Sequence, residues 1–221
     1  MEAEGRVPLW RNPYVWAFIV GCVTVTLIRP LLRYEPKPPP VLGELPEFSL
    51  VDSAGKPFGS ADLRGQVWIA SFFFTRCPSI CPLLMTRMAA LQQRLQSAAI
   101  DRIRLVSITV DPTYDTAERL RAAEPGYGVD RSRWTLLTGP LERVHELCVA
   151  GFHVPGSDGD IPHTTKVVLV DGSGHIRGYY ETDEPGLDEV FHRAQHVLKE
   201  ARMEASEFTS GADDQRSIGR I

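Results

Sequence analysis

The sequence predicts an α/β domain with a central mixed sheet flanked by helices, preceded by one N-terminal transmembrane helix. Three observations carry this prediction. From Leu45 to about Ala201, strand-like and helix-like segments alternate. Near-continuous apolar runs, VWIASFFF at 67–74 and IRLVSITV at 103–110, read as strands buried on both faces. Near the N-terminus, the run YVWAFIVGCVTVTLIRPLL is apolar except for Thr24, Thr26 and Arg29.

Residues 1–12 form a short leading segment, and 13–33 read as the membrane anchor. About 20 residues at about 1.5 Å each cross a bilayer core. Arg29 sits near one end, where it can snorkel to the headgroups, and Trp10, Tyr14 and Trp16 sit near the other as an aromatic belt. A helix apolar all round at a chain end is seldom core. No A-x-A cleavage pattern follows the run. Ile19-Val20-Gly21-Cys22 resembles a lipoprotein signal, which makes lipidation of Cys22 an alternative anchor, although the apolar run continues beyond it. Arg6 and Arg11 precede the span and Arg29, Arg33 and Lys37 follow it, so flanking charge does not set its orientation.

Residues 34–44 are proline-rich and read as a stiff spacer standing the domain off the bilayer. The domain follows at 45–202. Its expected strands are Glu47–Val51, Val67–Thr75, Ile103–Val110, Trp134–Leu137, Lys166–Val170 and Ile176–Glu181. The last two are joined by DGSG, a hairpin signal that makes the sheet mixed. Helices are expected over Pro82–Ala98, with Leu84, Met88, Leu91 and Leu95 on one face, and over Thr116–Ala123, Leu141–Ala150 and Leu187–Arg202. Residues 203–221, rich in Ser, Gly and Asp, read as a disordered tail.

The formal charge of -4 and the lack of a basic stripe interleaved with aromatics leave no nucleic-acid partner. Four cysteines in 221 residues are too few for a disulfide scaffold. Cys77 and Cys81, in CPSICP, fall where a central strand hands over to a helix. There the macrodipole and free N–H groups favour thiolate, and Pro78 suits a first helical turn. If that turn is helical, the two share a face, a spacing that serves a shared metal ion or a disulfide. A purely structural disulfide is unattractive, because so short a loop gains little chain entropy.

Of six histidines, His163 stands on a loop directly before the Lys166 strand and is the candidate third ligand. Asp111 and Asp115 follow the strand end at Val110, where loops gather at the carboxyl edge of the sheet. They could orient the cysteine loop. The competing reading is turn chemistry, with Asp111-Pro112 opening a turn and Asp115 capping the Thr116 helix, the better reading for Asp115. Cys148 reads as a small buried residue; Met85 and Met88, near the cysteines in sequence, could be thioether ligands, but the helical spacing from Met88 to Leu91 and Leu95 reads as core.

TRCPSICP, then VDPTYDT, then PHTT, in that order after an anchor, resembles the Sco/SenC family of membrane-anchored copper-binding proteins. The resemblance covers about Pro46 to Leu198. It implies a thioredoxin-like fold and one copper ion held by Cys77, Cys81 and His163. It also implies a role in maturing the binuclear copper site of a respiratory terminal oxidase. Expected partners are therefore the oxidase copper-site subunit and a copper donor or thiol reductant, with the domain outside the cytoplasm, facing a bacterial periplasm. Two positions depart from the family pattern, Ser79 inside the cysteine box and Pro162 before the histidine, where an aspartate is common. Two thiolates and an imidazole favour a thiophilic metal, with copper ahead of zinc, and an incomplete shell suits a carrier. The competing reading is a thiol-disulfide oxidoreductase. The cysteine spacing, wider than C-x-x-C, and His163-Thr164 in place of a substrate-presenting proline speak against it.

Overall fold

The computed structural model describes residues 13–28, 37–154 and 165–218, with side chains described as far as 203. It divides into two compact units, residues 1–37 and 38–221.

In the first unit, α1 (Pro13–Ile28) is a 16-residue helix with no buried residue. The hydroxyls of Thr24 and Thr26 donate back to the carbonyls of Val20 and Cys22 at 2.7 Å, so the helix offers little polar surface to its surroundings. Sixteen residues span about 24 Å, against about 30 Å for a hydrocarbon core. Among the described residues no helix is long and apolar enough to cross a membrane. The rest of the expected span, with Arg29, lies outside the described residues, as does Trp10.

The second unit runs β1 (Gly43–Glu44), β2 (Ser49–Asp52), β3 (Pro57–Gly59), α2 (Ser60–Leu63), β4 (Val67–Phe73), α3 (Ile80–Ser97), β5 (Ile103–Thr109), α4 (Ala117–Tyr127) and β6 (Trp134–Thr138). It continues with α5 (Leu141–Glu146), a π-helical turn at Leu147–Gly151, β7 (Lys166–Val170), β8 (His175–Glu181) and α6 (Glu184–Ile218). The strands make one sheet in the order β1-β8-β7-β4-β5-β6-β2-β3. β4, β5 and β6 are parallel, whereas β7 runs antiparallel to β4 and β8 to β7, so the sheet is mixed as expected.

Every residue of β4 is buried. Successive side chains point to opposite faces, and both faces are covered. Trp68 and Phe72 meet Phe152 edge-on, with centroids 5.8 and 5.0 Å apart, while Phe73, of the other parity, meets Tyr127 of α4 at 6.2 Å. The serines at the centre are satisfied within the core. Ser71 and Ser107 hydroxyls lie 2.6 Å apart, and Trp134 Nε1 donates to Ser107 at 2.8 Å. On α3, Leu84, Met88, Leu91 and Leu95 are buried as their spacing predicts, and so is Met85, which places its thioether in the core.

Several boundaries differ from the sequence reading. β1 and β3 are too short to carry a periodic signal and exist through their pairing, β1 with β8 and β3 with β2. α4 runs past Pro125 to an αL cap at Gly128, because a proline late in the helix forfeits only one bond. The proline-rich spacer is docked from residue 39 onward. Pro39 is buried and its carbonyl accepts from Arg177 Nε at 2.9 Å, Leu42 N–H donates to Ile176 at 2.8 Å, and Leu45 joins the core. Finally, α6 continues to Ile218 rather than ending at Arg202 before a disordered tail. The intervening MEASEF and DDQR contain no proline and several good helix formers.

Candidate metal centre

Cys77 and Cys81 sit beyond the carboxyl end of β4, which lies between β7 and β5 in the middle of the sheet. α3 begins at Ile80, so Cys77 belongs to the turn before the helix, and Pro78 lies outside the first helical turn where it was expected. The proline within that turn is Pro82. The geometry that joins the two cysteines is therefore a helix cap rather than a helix face. Ser79 occupies the N-cap position and makes no side-chain cap bond. The Cys81 backbone N–H instead points to Cys77 Sγ at 3.5 Å. The sulfur supplies the acceptor that the first turn of α3 otherwise lacks.

The two thiols are free and buried, each 6% exposed. Burial alone would raise the Cys77 pKa. The backbone N–H groups of Ser79, Cys81 and Ile80 and the Cys81 thiol outweigh it and bring the thiol down from 9.0 to about 7. Cys81 is pushed up to about 12, chiefly by burial and then by the charges that Cys77 and Asp115 carry, against a backbone hydrogen bond at Phe74. The pair is asymmetric: one sulfur is substantially ionised near neutral pH and the other is held protonated.

Asp115 is fully buried and does not cap α4. Thr116 is the cap, its hydroxyl accepting from the Arg119 N–H at 3.4 Å. Asp115 reaches back toward the cysteine loop. Oδ2 accepts the Thr75 N–H at 2.9 Å and the Thr109 hydroxyl at 2.6 Å, and Oδ1 accepts the Thr75 hydroxyl. One carboxylate thus ties the ends of β4 and β5 together two residues before Cys77. Asp111 opens the expected turn, its carbonyl accepting from Tyr114 N–H at 3.0 Å and Asp115 N–H at 2.9 Å. Its carboxylate, 5% exposed as a residue, pairs with Arg76 Nε at 2.5 Å.

Three participants were not read from the sequence. Thr75 and Thr109 satisfy Asp115, and Tyr127, half-buried, has its pKa raised by burial and then by the charges of Asp115, Cys81 and Cys77. A threonine at the end of each neighbouring parallel strand was the available signal for the first two. For Tyr127 there was none, because Pro125 hid the helical turn that carries it. Cys148 is buried in the π-helical turn and pushed up to about 12 by burial, as its reading as a small core residue implies. His163 and Pro162 lie outside the described residues. Among the described residues no group of three or more His, Cys, Asp or Glu side chains could hold a metal ion. The described part of the site is therefore the thiol pair and the carboxylates that hold its loop.

The family model for SCO1/SenC matches residues 40–199. The SCO1 protein homolog of Bacillus subtilis is 28% identical over 182 residues, covering 80% of this chain and 89% of its own. Among solved structures, BsSco is described as having a disulfide switch and as a member of the Sco family of cytochrome c oxidase assembly proteins. It aligns with TM-score 0.66 and 27% identity over 75% of this chain and 99% of its own. Yeast Sco1 with copper bound aligns with TM-score 0.58 and 25% identity over 71% of this chain and 90% of its own.

Proposed function

This chain belongs to the SCO1/SenC family, and on that premise we propose that it is a copper carrier rather than an enzyme. Its cargo is one copper ion bound by Cys77, Cys81 and His163, and its task is to assist assembly of the binuclear copper centre of a respiratory terminal oxidase. The observation that carries this reading is the buried, asymmetric thiol pair at the start of α3, with Cys77 at about 7 and its sulfur against the Cys81 N–H. A thiolate available at neutral pH offers a soft ligand without prior deprotonation, and capture by the metal releases the proton of Cys81. Yeast Sco1, a fold relative, has been solved with copper bound.

α1 serves as the membrane anchor in this reading, completed by residues beyond Ile28, with the domain outside the cytoplasm. Lipidation at Cys22, exposed on that helix, would serve the same end. Asp115 and Asp111 act through the loop: the first holds Thr75 and the second holds Arg76, the residues directly before Cys77. The receiving partner is the copper-site subunit of the oxidase, and a copper donor or a thiol reductant precedes it.

The test is metal analysis of the reduced chain. One copper per chain is expected, with sharp weakening in Cys77→Ala, Cys81→Ala and His163→Ala and no change in Cys148→Ala. Tight binding retained in His163→Ala would remove that residue from the ligand set.

A second reading, a thiol-disulfide oxidoreductase that keeps oxidase cysteines reduced, is favoured by one observation. A thiol near 7 beside one near 12 is the arrangement of a nucleophile and a buried resolving partner. Disulfide reduction by the reduced chain, undiminished in His163→Ala and accompanied by no copper binding, would select it.

A further inference from the structure

The surface around the thiols carries more exposed apolar and cationic side chain than holding an ion requires. Ile80 and Leu83, on the first turn of α3, are 44% and 51% exposed, while Cys81, Leu84 and Met85 beside them are buried. Tyr114, 37% exposed, has two guanidinium groups over its ring, Arg76 at 4.9 Å and Arg119 at 3.9 Å from the centroid. Arg76 directly precedes Cys77 and Ile80 directly precedes Cys81, so both are carried by the loop and first helical turn that hold the sulfurs.

The charges on this surface are unevenly compensated. Arg76 is offset by Asp111. Arg119 donates from Nη1 to the Tyr114 carbonyl at 2.9 Å, which fixes its orientation, yet among the described residues no carboxylate pairs with it. Within 74–83 and 111–119 the one exposed carboxylate is Glu118. A guanidinium held in place over an aromatic ring has lost much of its rotamer freedom before any partner arrives, and its fork suits a carboxylate. Tyrosine and arginine next to exposed aliphatic side chains is the composition of a binding hot spot.

Resting on the copper-carrier reading, we propose that Arg76, Tyr114, Arg119, Ile80 and Leu83 form the docking surface for an acidic, partly apolar segment of the copper-receiving protein, one that carries that protein's thiol ligands. A carboxylate of the segment meets Arg119, its aliphatic side chains cover Ile80 and Leu83, and its cysteine is brought to Cys77.

The test uses the full chain, reduced and in detergent, with two synthetic peptides. Each contains one cysteine activated as a neutral 2-pyridyl disulfide and flanked by leucines, with glutamates in one peptide and lysines in the other. The Cys77 thiolate attacks the peptide sulfur, a Cys77–peptide disulfide forms, and pyridine-2-thione leaves with the electron pair of the broken S–S bond. Its absorbance reads the rate.

The glutamate peptide is expected to react about tenfold faster at low salt, and the preference should collapse at about 0.5 M salt. Arg119→Gln should remove most of the preference and Arg119→Glu should reverse it, while Leu83→Ser should slow both peptides. Equal rates for the two peptides, or a preference unchanged in Arg119→Glu, overturn the proposal. Copper stoichiometry is measured on the same samples. An Arg119 variant that still binds one copper shows that fold and thiols are intact. A parent chain that binds none overturns the copper-carrier reading, whereas the peptide rates decide the docking surface independently.

Discussion

Thr75 and Asp115, 40 residues apart in sequence, are joined twice: the Thr75 backbone N–H donates to Oδ2 at 2.9 Å and its hydroxyl donates to Oδ1. The same carboxylate takes the Thr109 hydroxyl, so it closes the space between the ends of β4 and β5. Asp115→Ala leaves a backbone donor and two hydroxyls without their acceptor in a buried place. Unfolding in urea should show a loss of about 2–4 kcal/mol, and Asp115→Asn, which keeps one acceptor oxygen, should lose less. In both variants the Cys81 thiol pKa should fall, because the Asp115 charge is one of the influences that raise it.

The thiols should separate by pH. Cys77, at about 7, should be alkylated by neutral iodoacetamide with a rate that climbs between about pH 6 and 8, while Cys81 and Cys148, at about 12, stay slow. Mass mapping of the modified peptide identifies the site. The Cys77 pKa lies below its unfolded value of 9.0, so its contribution to stability is complete above that value and is lost as pH falls through about 7. For Cys81 and Cys148 the sign is opposite: they favour the folded state while protonated and destabilise it as pH rises past 9.0. Urea midpoints of Cys77→Ala and Cys148→Ala against pH test the two signs separately.

Oxidation of the reduced chain should abolish copper binding, since a Cys77–Cys81 disulfide has no thiolate to offer, and bound copper should in turn slow disulfide formation. The check is copper titration after both thiols are shown to be lost. Oxidised chain that binds copper as tightly as reduced chain would exclude these two ligands.

Arg177, 8% exposed, donates to the Pro39 carbonyl at 2.9 Å, to Asp171 at 3.0 Å and to Glu200 at 2.5 Å. Arg177→Ala leaves Asp171 buried without its guanidinium partner and removes the bond that docks Pro39, the first anchor of the segment running to Leu45. A loss of about 3 kcal/mol is expected in urea unfolding, together with faster protease cleavage within 39–45.

The paired strands at the centre of the sheet were legible because VWIASFFF, IRLVSITV and KVVLV are apolar on both faces, a pattern that needs no tertiary information. β1 and β3 were not, since two or three residues carry no period and exist only where a neighbour supplies hydrogen bonds. At the site, the cysteine pair announced itself by the prolines and the strand before it. Asp115 did not: an aspartate ahead of Thr-Ala-Glu reads as a cap, and only the fold reveals that Thr116 takes that place and frees the carboxylate to turn inward. The cap role of Cys77 was hidden for a similar reason, because the helix begins three residues after Cys77.

The strand order has a consequence for how the chain is made. β4 borders β7, at Val168–Val170, on one side, and β1 pairs with β8 near residue 176. On a ribosome, a chain that ends before Lys166 can align β4, β5 and β6 but leaves one edge of β4 bare, with its apolar faces half covered. Emergence of the last strands is then the committing event, and everything earlier is provisional. Chains stalled before Lys166 should bind hydrophobic dyes and holdase chaperones, and the dye signal should vanish once β8 and the first turns of α6 have been added.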